Sequence, residues 1–296
     1  MGYDDHRSRF YAINSKDRVY TLILGETRSG KSETLKLFIY HHVLRKEGFM
    51  LIDPHDMLAS DVLQLLRKEY TEEKFKDNVI YINPEVTNYR INTLQIKDYN
   101  KRHIVSMSFI SALKNLYEYS WGDRLETKEC YTSTDGGDLP VTLSKVAKVL
   151  ADQRYKEMLV KASVDRSIKY FWFSIYPNYA RDAFTAVYNK LDKLLTIQSV
   201  RKTFDVEESN IDLKDVVKEG KVIIVDLSTG FSDDIIRFLA SIFVHMLYVY
   251  AKSGIALSNR YYLYIDDTVD KYIRYKRGTE CIKEVQCQCN DSNTYC

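Results

Sequence analysis

The chain is predicted to be an α/β protein built on a parallel, doubly wound sheet, with a mostly α-helical insertion between the two halves of the core. Three observations predict it. Short apolar strands alternate with helix-spaced apolar patterns through residue 84, the order that winds a parallel sheet. The apolar run Val19-Tyr-Thr-Leu-Ile-Leu24 breaks into Gly25-Glu-Thr-Arg-Ser-Gly30-Lys31-Ser32 and reopens as a helix. Two later apolar runs, Val222-Ile-Ile-Val-Asp226 and Tyr262-Leu-Tyr-Ile265-Asp266-Asp267, each end in acid, and ligands gather at the carboxyl edges of such sheets.

Taken in order, residues 1–18 form a polar lead into the first strand. A helix over residues 31 to about 46 follows from Leu35, Phe38, Ile39, Val43 and Leu44, and Gly48 is read as its stop. Residues 49–52 form a short strand closed by Asp53-Pro-His-Asp56, and residues 57 to about 68 a helix through Leu58, Val62, Leu65 and Leu66. Residues 79–82 are a further strand, closed by Asn83-Pro84. From about Asp98 to Val206 only helical spacing is evident, at Ile104, Met107, Ile110, Leu113 and Leu116 and again at Leu143, Val146, Val149 and Leu150, around the loop 132–137. Strand character returns at residues 221–227 after a Gly220 turn, then a long helix from about Asp233 to Ala251 and a last strand at 261–265. The domain division is therefore 1–97 and 207–270 for the two halves of the core, 98–206 for the insertion and 271–296 for an irregular tail.

The spacing Gly25-x4-Gly30-Lys31-Ser32 is that of a phosphate-binding loop. Glycines permit the backbone to turn its N–H groups inward and approach phosphate oxygens, and phosphate then sits at a helix N-terminus. The candidate nucleotide-binding residues are Gly25, Glu26, Thr27, Arg28, Ser29, Gly30, Lys31, Ser32 and Glu33. Lys31 is expected to reach the β- and γ-phosphates of ATP as a point charge, and Ser32 to ligate Mg²⁺. Such a site needs a carboxylate at a neighbouring strand end for the magnesium water shell and a second acid to position the attacking water. Asp266 is the choice for the first task, acting through water, and Asp267 for the second as the catalytic base or water-orienting group. Asp226 is the rival, ranked second because it stands alone where Asp266 is followed by another acid. His55, beside Asp53 and Asp56, is read as part of a strand-edge turn rather than a metal ligand.

Composition limits the partners. Lys and Arg number 43 against 41 Asp and Glu, a net charge of +2, so no global basic field advertises nucleic acid and any DNA contact must be local. The longest apolar run, residues 238–251, is 14 residues long and carries His245; it is read as a buried helix, too short to cross a bilayer. The N-terminus shows no signal-peptide pattern, and a cytoplasmic location is expected. Four of the five cysteines, Cys281, Cys287, Cys289 and Cys296, fall in the tail at spacings unlike those of zinc knuckles, and are read as reduced. Tyr170-Phe-Trp-Phe173 and Trp121 offer base-stacking surfaces, but aromatic runs in a helical segment are expected to be core.

Several segments in shared order resemble the HerA/FtsK-like DNA-pumping ATPases, in particular the soluble relatives of type IV secretion (conjugative) coupling proteins. They are Asp17-Arg18 before the loop, Leu51-Ile-Asp-Pro-His55, Asn78-Val-Ile-Tyr-Ile-Asn-Pro84 with Ile91-Asn92-Thr-Leu94, Ser120-Trp121-Gly122-Asp-Arg124-Leu-Glu126, residues 220–228 and residues 262–267. The resemblance spans about residues 10–270. It implies a RecA-like motor domain with an all-α insertion, a homo-hexamer with ATP between subunits, DNA in a central channel, and service to a secretion or transfer machine with no membrane span in this chain.

This sequence departs from the family's pattern at several places. Arg28 stands where the family has glycine, Asp53-Pro-His-Asp56-Met57 lacks the glycine of Asp-Pro-His-Gly-Asp, and Asp267 replaces glutamate. The family's following helical, arginine-bearing segment has no recognisable counterpart in the tail. Two readings follow: a motor or coupling ATPase acting on DNA, and a truncated nucleotide-binding relative that assembles or regulates without hydrolysis. Slow turnover and a mostly monomeric chain are expected if the missing segment supplies the transition-state cation.

Overall fold

The computed structural model describes residues 2–4, 9–11, 21, 23, 29–54, 57–95, 105, 106, 109, 112, 140–162, 166–175, 182–228, 230–252 and 260–266. Within them, β1 (Gly2–Asp4) and β2 (Arg9–Tyr11) pair as an antiparallel ribbon, in the polar stretch ahead of the core. The core elements are α1 (Lys31–Arg45), β3 (Phe49–Asp53), α2 (Met57–Glu69), α3 (Glu72–Asn78) and β4 (Val79–Ile82). Five helices follow: α4 (Leu143–Ala151), α5 (Gln153–Ala162), α6 (Arg166–Tyr170), which continues into a π-helical turn at Phe171–Ile175, α7 (Asp182–Leu195) and α8 (Gln198–Phe204). The chain returns to the core through α9 (Leu213–Lys218), β5 (Val222–Asp226), α10 (Asp233–Lys252) and β6 (Tyr262–Ile265).

The expected parallel sheet is present, in the order β4-β5-β3-β6. Its registers set Ile52 beside Val225 and Ile265, and Asp53 beside Asp226. The strands are short and apolar on both sides, as a sheet covered on both faces requires. Alternation then divides them. Phe49, Leu51, Val79, Val222, Ile224, Tyr262 and Tyr264 join Ile39 and Val43 of α1 and Leu58, Val62 and Leu66 of α2 in one apolar layer. Met50, Ile52, Ile80, Ile82, Ile223 and Val225 face the other, with residues of α4, α7, α8, α9 and α10. The α/β class is thus as the sequence predicts, and among the described residues from 140 to 206 the regular elements are helices.

Three local differences have physical causes. The left-handed residue that ends α1 is Lys46 (φ 56°), with Glu47 N–H bonded to the His42 carbonyl at 3.0 Å, so Gly48 does not stop the helix. Gly48 is instead needed for close approach: a Cβ there would lie 2.5 Å from the Gly220 carbonyl carbon. The sequence reading also gave no helix over Glu72–Asn78; Thr71 caps it by accepting the Lys74 N–H, and Glu72 and Glu73 sit in its first turn. Finally, α10 is longer than its apolar run. By length and composition it could cross a membrane, but half of its apolar window is buried inside the protein, and Phe238, Leu239, Ala240, Ser241 and Phe243 are fully enclosed.

Apart from residues 21 and 23, the strand expected at 19–24 lies outside the described residues, as do Ile104, Met107, Ile110, Leu113 and Leu116, the segment 120–126, the loop 132–137 and the cysteine tail.

Candidate functional site

The site stands at the carboxyl edge of the sheet, where β3, β5 and β6 end in Asp53, Asp226 and Asp266 and where α1 begins. Gly30 precedes α1 with φ 87°, a left-handed conformation that suits glycine, and a Cβ there would meet nothing within 4 Å. Gly30, as the capping residue, offers no side chain to this helix start, where backbone N–H groups suit an anionic partner. Thr34 holds the turn: its N–H and its Oγ1 both bond the Gly30 carbonyl, each at 2.9 Å.

Ser32 Oγ donates a hydrogen bond to Asp266 Oδ1 at 3.2 Å. This contact joins the start of α1 to the end of β6 across 234 residues of sequence. Asp266 is positioned by the sheet, its own N–H continuing the ladder to the Ile52 carbonyl at 3.1 Å, and its side chain is buried. A hydroxyl and a carboxylate brought together beside an open, positively polarised helix start form an oxygen donor set of the kind a hard divalent cation takes, with the Lys31 ammonium on the same turn. The residues present therefore fit a magnesium-bound polyphosphate.

Asp226 is differently engaged. Its Oδ2 accepts from the Tyr81 hydroxyl and from Asn83 Nδ2 at 2.9 Å, and its Oδ1 from Ser228 N–H at 3.0 Å and Ser228 Oγ at 2.6 Å. Burial pushes its pKa up, but these donors prevail and hold it below the ordinary 3.8. Asp53, beside it in register, is fully buried and accepts the Ala59 N–H at 2.7 Å near the start of α2. Two carboxylates on neighbouring strands thus coexist because each has its own donors. No local signal in the sequence marks Asp53 for holding α2, because a capping residue stands immediately before its helix and the Ala59 N–H that Asp53 accepts is six residues on.

Of the other sequence candidates, Ser29 and Gly30 lead into α1, and Glu33 on its first turn is exposed and pairs with Lys36 at 2.7 Å. Lys36 also reaches Asp61 of α2 at 2.7 Å, and both carboxylates raise its pKa, Asp61 more than Glu33. Gly25, Glu26, Thr27, Arg28, His55, Asp56 and Asp267 lie outside the described residues. Among the described residues no group of His, Cys, Asp and Glu is arranged to hold a metal on its own.

The class this architecture defines is an α/β fold with a parallel sheet covered by helices on both faces. No family model matches the chain and no curated protein matches it. Solved structures of conjugative coupling proteins do, at the level of the fold. One is the bacterial conjugative coupling protein TrwBdeltaN70 in an unbound monoclinic form, at 16% identity and TM-score 0.53, covering 81% of this chain and 53% of that one. Another is its trigonal form in complex with sulphate, at 13% identity and TM-score 0.53, covering 89% and 66%. A third is the plasmid coupling protein TrwB in complex with a non-hydrolysable GTP analogue, GDPNP, at 16% identity and TM-score 0.52, covering 82% and 55%. The chain thus spans a little over half to two thirds of the length of the structures it matches.

Proposed function

We propose that this chain is an ATP-binding motor or coupling subunit of the HerA/FtsK type, coupling ATP hydrolysis to DNA translocation or conjugative transfer. The observation that carries the reading is the contact of Ser32 with Asp266, because P-loop ATPases need these two oxygens at one point and nothing in local sequence brings them there. In this reading the backbone of residues 25–33 surrounds the phosphates, Lys31 neutralises the β- and γ-phosphates, and Ser32 and Asp266 border the magnesium shell, Asp266 through water. Magnesium, when bound, supplies charge stabilisation on the transferring phosphoryl group. Asp267 follows Asp266 directly and is assigned the orienting of the attacking water. The likeness in fold to conjugative coupling proteins supports a homo-hexamer on DNA, cytoplasmic and held at the inner membrane face through a transfer machine. Residues 1–97 and 207–270 serve as the halves of the motor core and 98–206 as its helical insertion.

The test is equilibrium binding of Mg-ATP, followed by phosphate release with and without DNA. The reading requires magnesium-dependent binding that Lys31→Ala and Asp266→Asn both weaken. Unchanged affinity in both variants removes it.

A further inference from the structure

The chain's net charge is +2, yet residues 140–175 carry seven Lys and Arg against three Asp and Glu, an excess of four. The remainder of the chain is therefore net negative, and the positive charge is concentrated in the helical insertion. Within it, Lys145 is paired with Glu207 at 2.8 Å and Lys148 lies over the Tyr155 ring at 4.4 Å. Lys156 is buried against Trp172, 5.6 Å from the ring centroid, and burial lowers its pKa. These cations are used inside the protein. Arg154, Lys161 and Arg166 are exposed and Lys169 is half-buried.

Helix α6 and the π-helical turn after it sort these groups by face. Arg166, Lys169, Tyr170 and Phe173 fall at i, i+3, i+4 and i+7, so they share one side of the helix. On that side Tyr170 is 64% exposed and Phe173 49%. Trp172, off that spacing, is 6% exposed and packs on α5. Among the described side chains of the aromatic run Trp172 is core, while Tyr170 and Phe173 present two large rings to solvent, with Arg166 and Lys169 N-terminal to them. A π-helical turn costs hydrogen-bond geometry and is found disproportionately where a surface has work to do.

We propose that the face of α6 and the π-helical turn made by Arg166, Lys169, Tyr170 and Phe173 is a binding site for single-stranded nucleic acid, with Tyr170 and Phe173 stacking on bases and Arg166 and Lys169 taking the flanking phosphates. Stacking on exposed rings beside cations is how proteins hold single strands without regard to sequence. A duplex keeps its bases stacked on each other and offers the rings little. A membrane surface fits less well, since two rings set among cations do not make the broad apolar face an interfacial helix buries. The site deepens the reading of a DNA-acting ATPase and rests on it for its biological sense, but it is remote in sequence from Lys31 and Asp266 and is tested separately.

The test uses the full chain and a labelled 20-nucleotide oligothymidylate, its duplex with oligoadenylate, and phosphatidylserine vesicles, each titrated at several salt concentrations. The site predicts single-strand binding tighter than duplex binding. Tyr170→Ala with Phe173→Ala should weaken it about tenfold while the salt dependence stays the same. Arg166→Gln with Lys169→Gln should weaken it and reduce the salt slope by about 1.4, two phosphate contacts' worth for a single strand. Both pairs lie on the surface and should keep Mg-ATP affinity, which reports intact folding; Lys31→Ala should lose Mg-ATP and keep the oligonucleotide. Absence of single-strand binding in the wild type, unchanged affinity in both double variants, or a loss confined to vesicles would overturn the proposal, whatever the nucleotide measurements show.

Discussion

Ser32 on the first turn of α1 and Asp266 at the end of β6 meet through a 3.2 Å hydrogen bond. Neither position is free to drift. Ser32 is held by a helix whose Ile39 and Val43 are buried against the sheet, and Asp266 by a strand paired along its length with β3. A second link ties the same two elements at their far ends: His42 of α1 bonds Glu47 and stacks on the Tyr262 ring, centroids 3.8 Å apart. The spacing at the candidate magnesium position is therefore a property of how α1 and β6 pack.

The two acid-ended strands should separate on mutation. Asp266→Asn is expected to weaken magnesium-dependent ATP binding, since its carboxylate stands against the Ser32 hydroxyl at the candidate magnesium position. Asp226→Asn is expected to cost about 1–3 kcal/mol of stability, because it disturbs a buried acceptor of bonds from Tyr81, Asn83 and Ser228. Chemical denaturation and nucleotide titration of both variants check this; equal nucleotide defects would erase the distinction between the strands.

Lys31→Ala should weaken Mg-ATP by at least about tenfold, or about 1.4 kcal/mol, as expected for loss of the principal side-chain charge on the β- and γ-phosphates. Isothermal titration or a fluorescent nucleotide measures it directly, and wild-type affinity in the variant would contradict the assigned role.

Acid stability should report on Asp226. Burial alone would raise its pKa, but the donors Ser228, Tyr81 and Asn83 hold it below 3.8. The charged form is thus favoured by folding; its contribution is complete above 3.8 and disappears as pH falls through the folded value. Tyr81→Phe removes one donor and should move the acid-unfolding midpoint to higher pH. No movement in that midpoint would count against this network as the cause.

His245 acts at milder acidity. Burial in α10 lowers its pKa below 6.5, against the opposing effect of the Ser241 carbonyl at 2.7 Å. Between the folded value and 6.5 the unfolded chain binds the extra proton, so stability rises with pH through this window and is lost on acidification. His245→Gln should flatten the slope of stability against pH just below 6.5. The same slope in the variant would assign the effect to other groups.

Gly48→Ala should destabilise the protein by about 1–3 kcal/mol, the usual range for forcing atoms into a packed interior. Its Cβ would lie 2.5 Å from the Gly220 carbonyl carbon and oxygen, which are backbone and cannot swing aside. Thermal melting decides the point, and a wild-type midpoint would mean that the β3 and β5 entries can separate at little cost.

The sheet was legible because its signals are local. Phe49 to Asp53, Val79 to Ile82 and Val222 to Asp226 are apolar runs bounded by glycine, proline or acid, and the structure places strands on all three. α1, α2 and α10 were legible for the matching reason, an apolar stripe at helical spacing. Other features were hidden because their cause lies elsewhere in the chain. Gly48 reads as a helix stop until Gly220 is seen against it, and Lys46 is an unexpected residue for a left-handed cap. In Tyr170-Phe-Trp-Phe173 periodicity alone does not say which ring is buried; packing of α6 on α5 puts Trp172 inside and leaves Tyr170 and Phe173 outside.

By itself the sequence determined the α/β class and the loop spacing that proposes Lys31 and Ser32 for phosphate, since each follows from residues a few positions apart. Only the tertiary structure decided which acid stands beside Ser32. Asp226 and Asp266 end strands of like composition, and the choice rests on sheet order: β6 carries Asp266 to the start of α1, while β5, between β4 and β3, has its Asp226 taken by Tyr81, Asn83 and Ser228. Strand order is set by which apolar faces can be covered together over the whole chain, and no local stretch of residues contains that information.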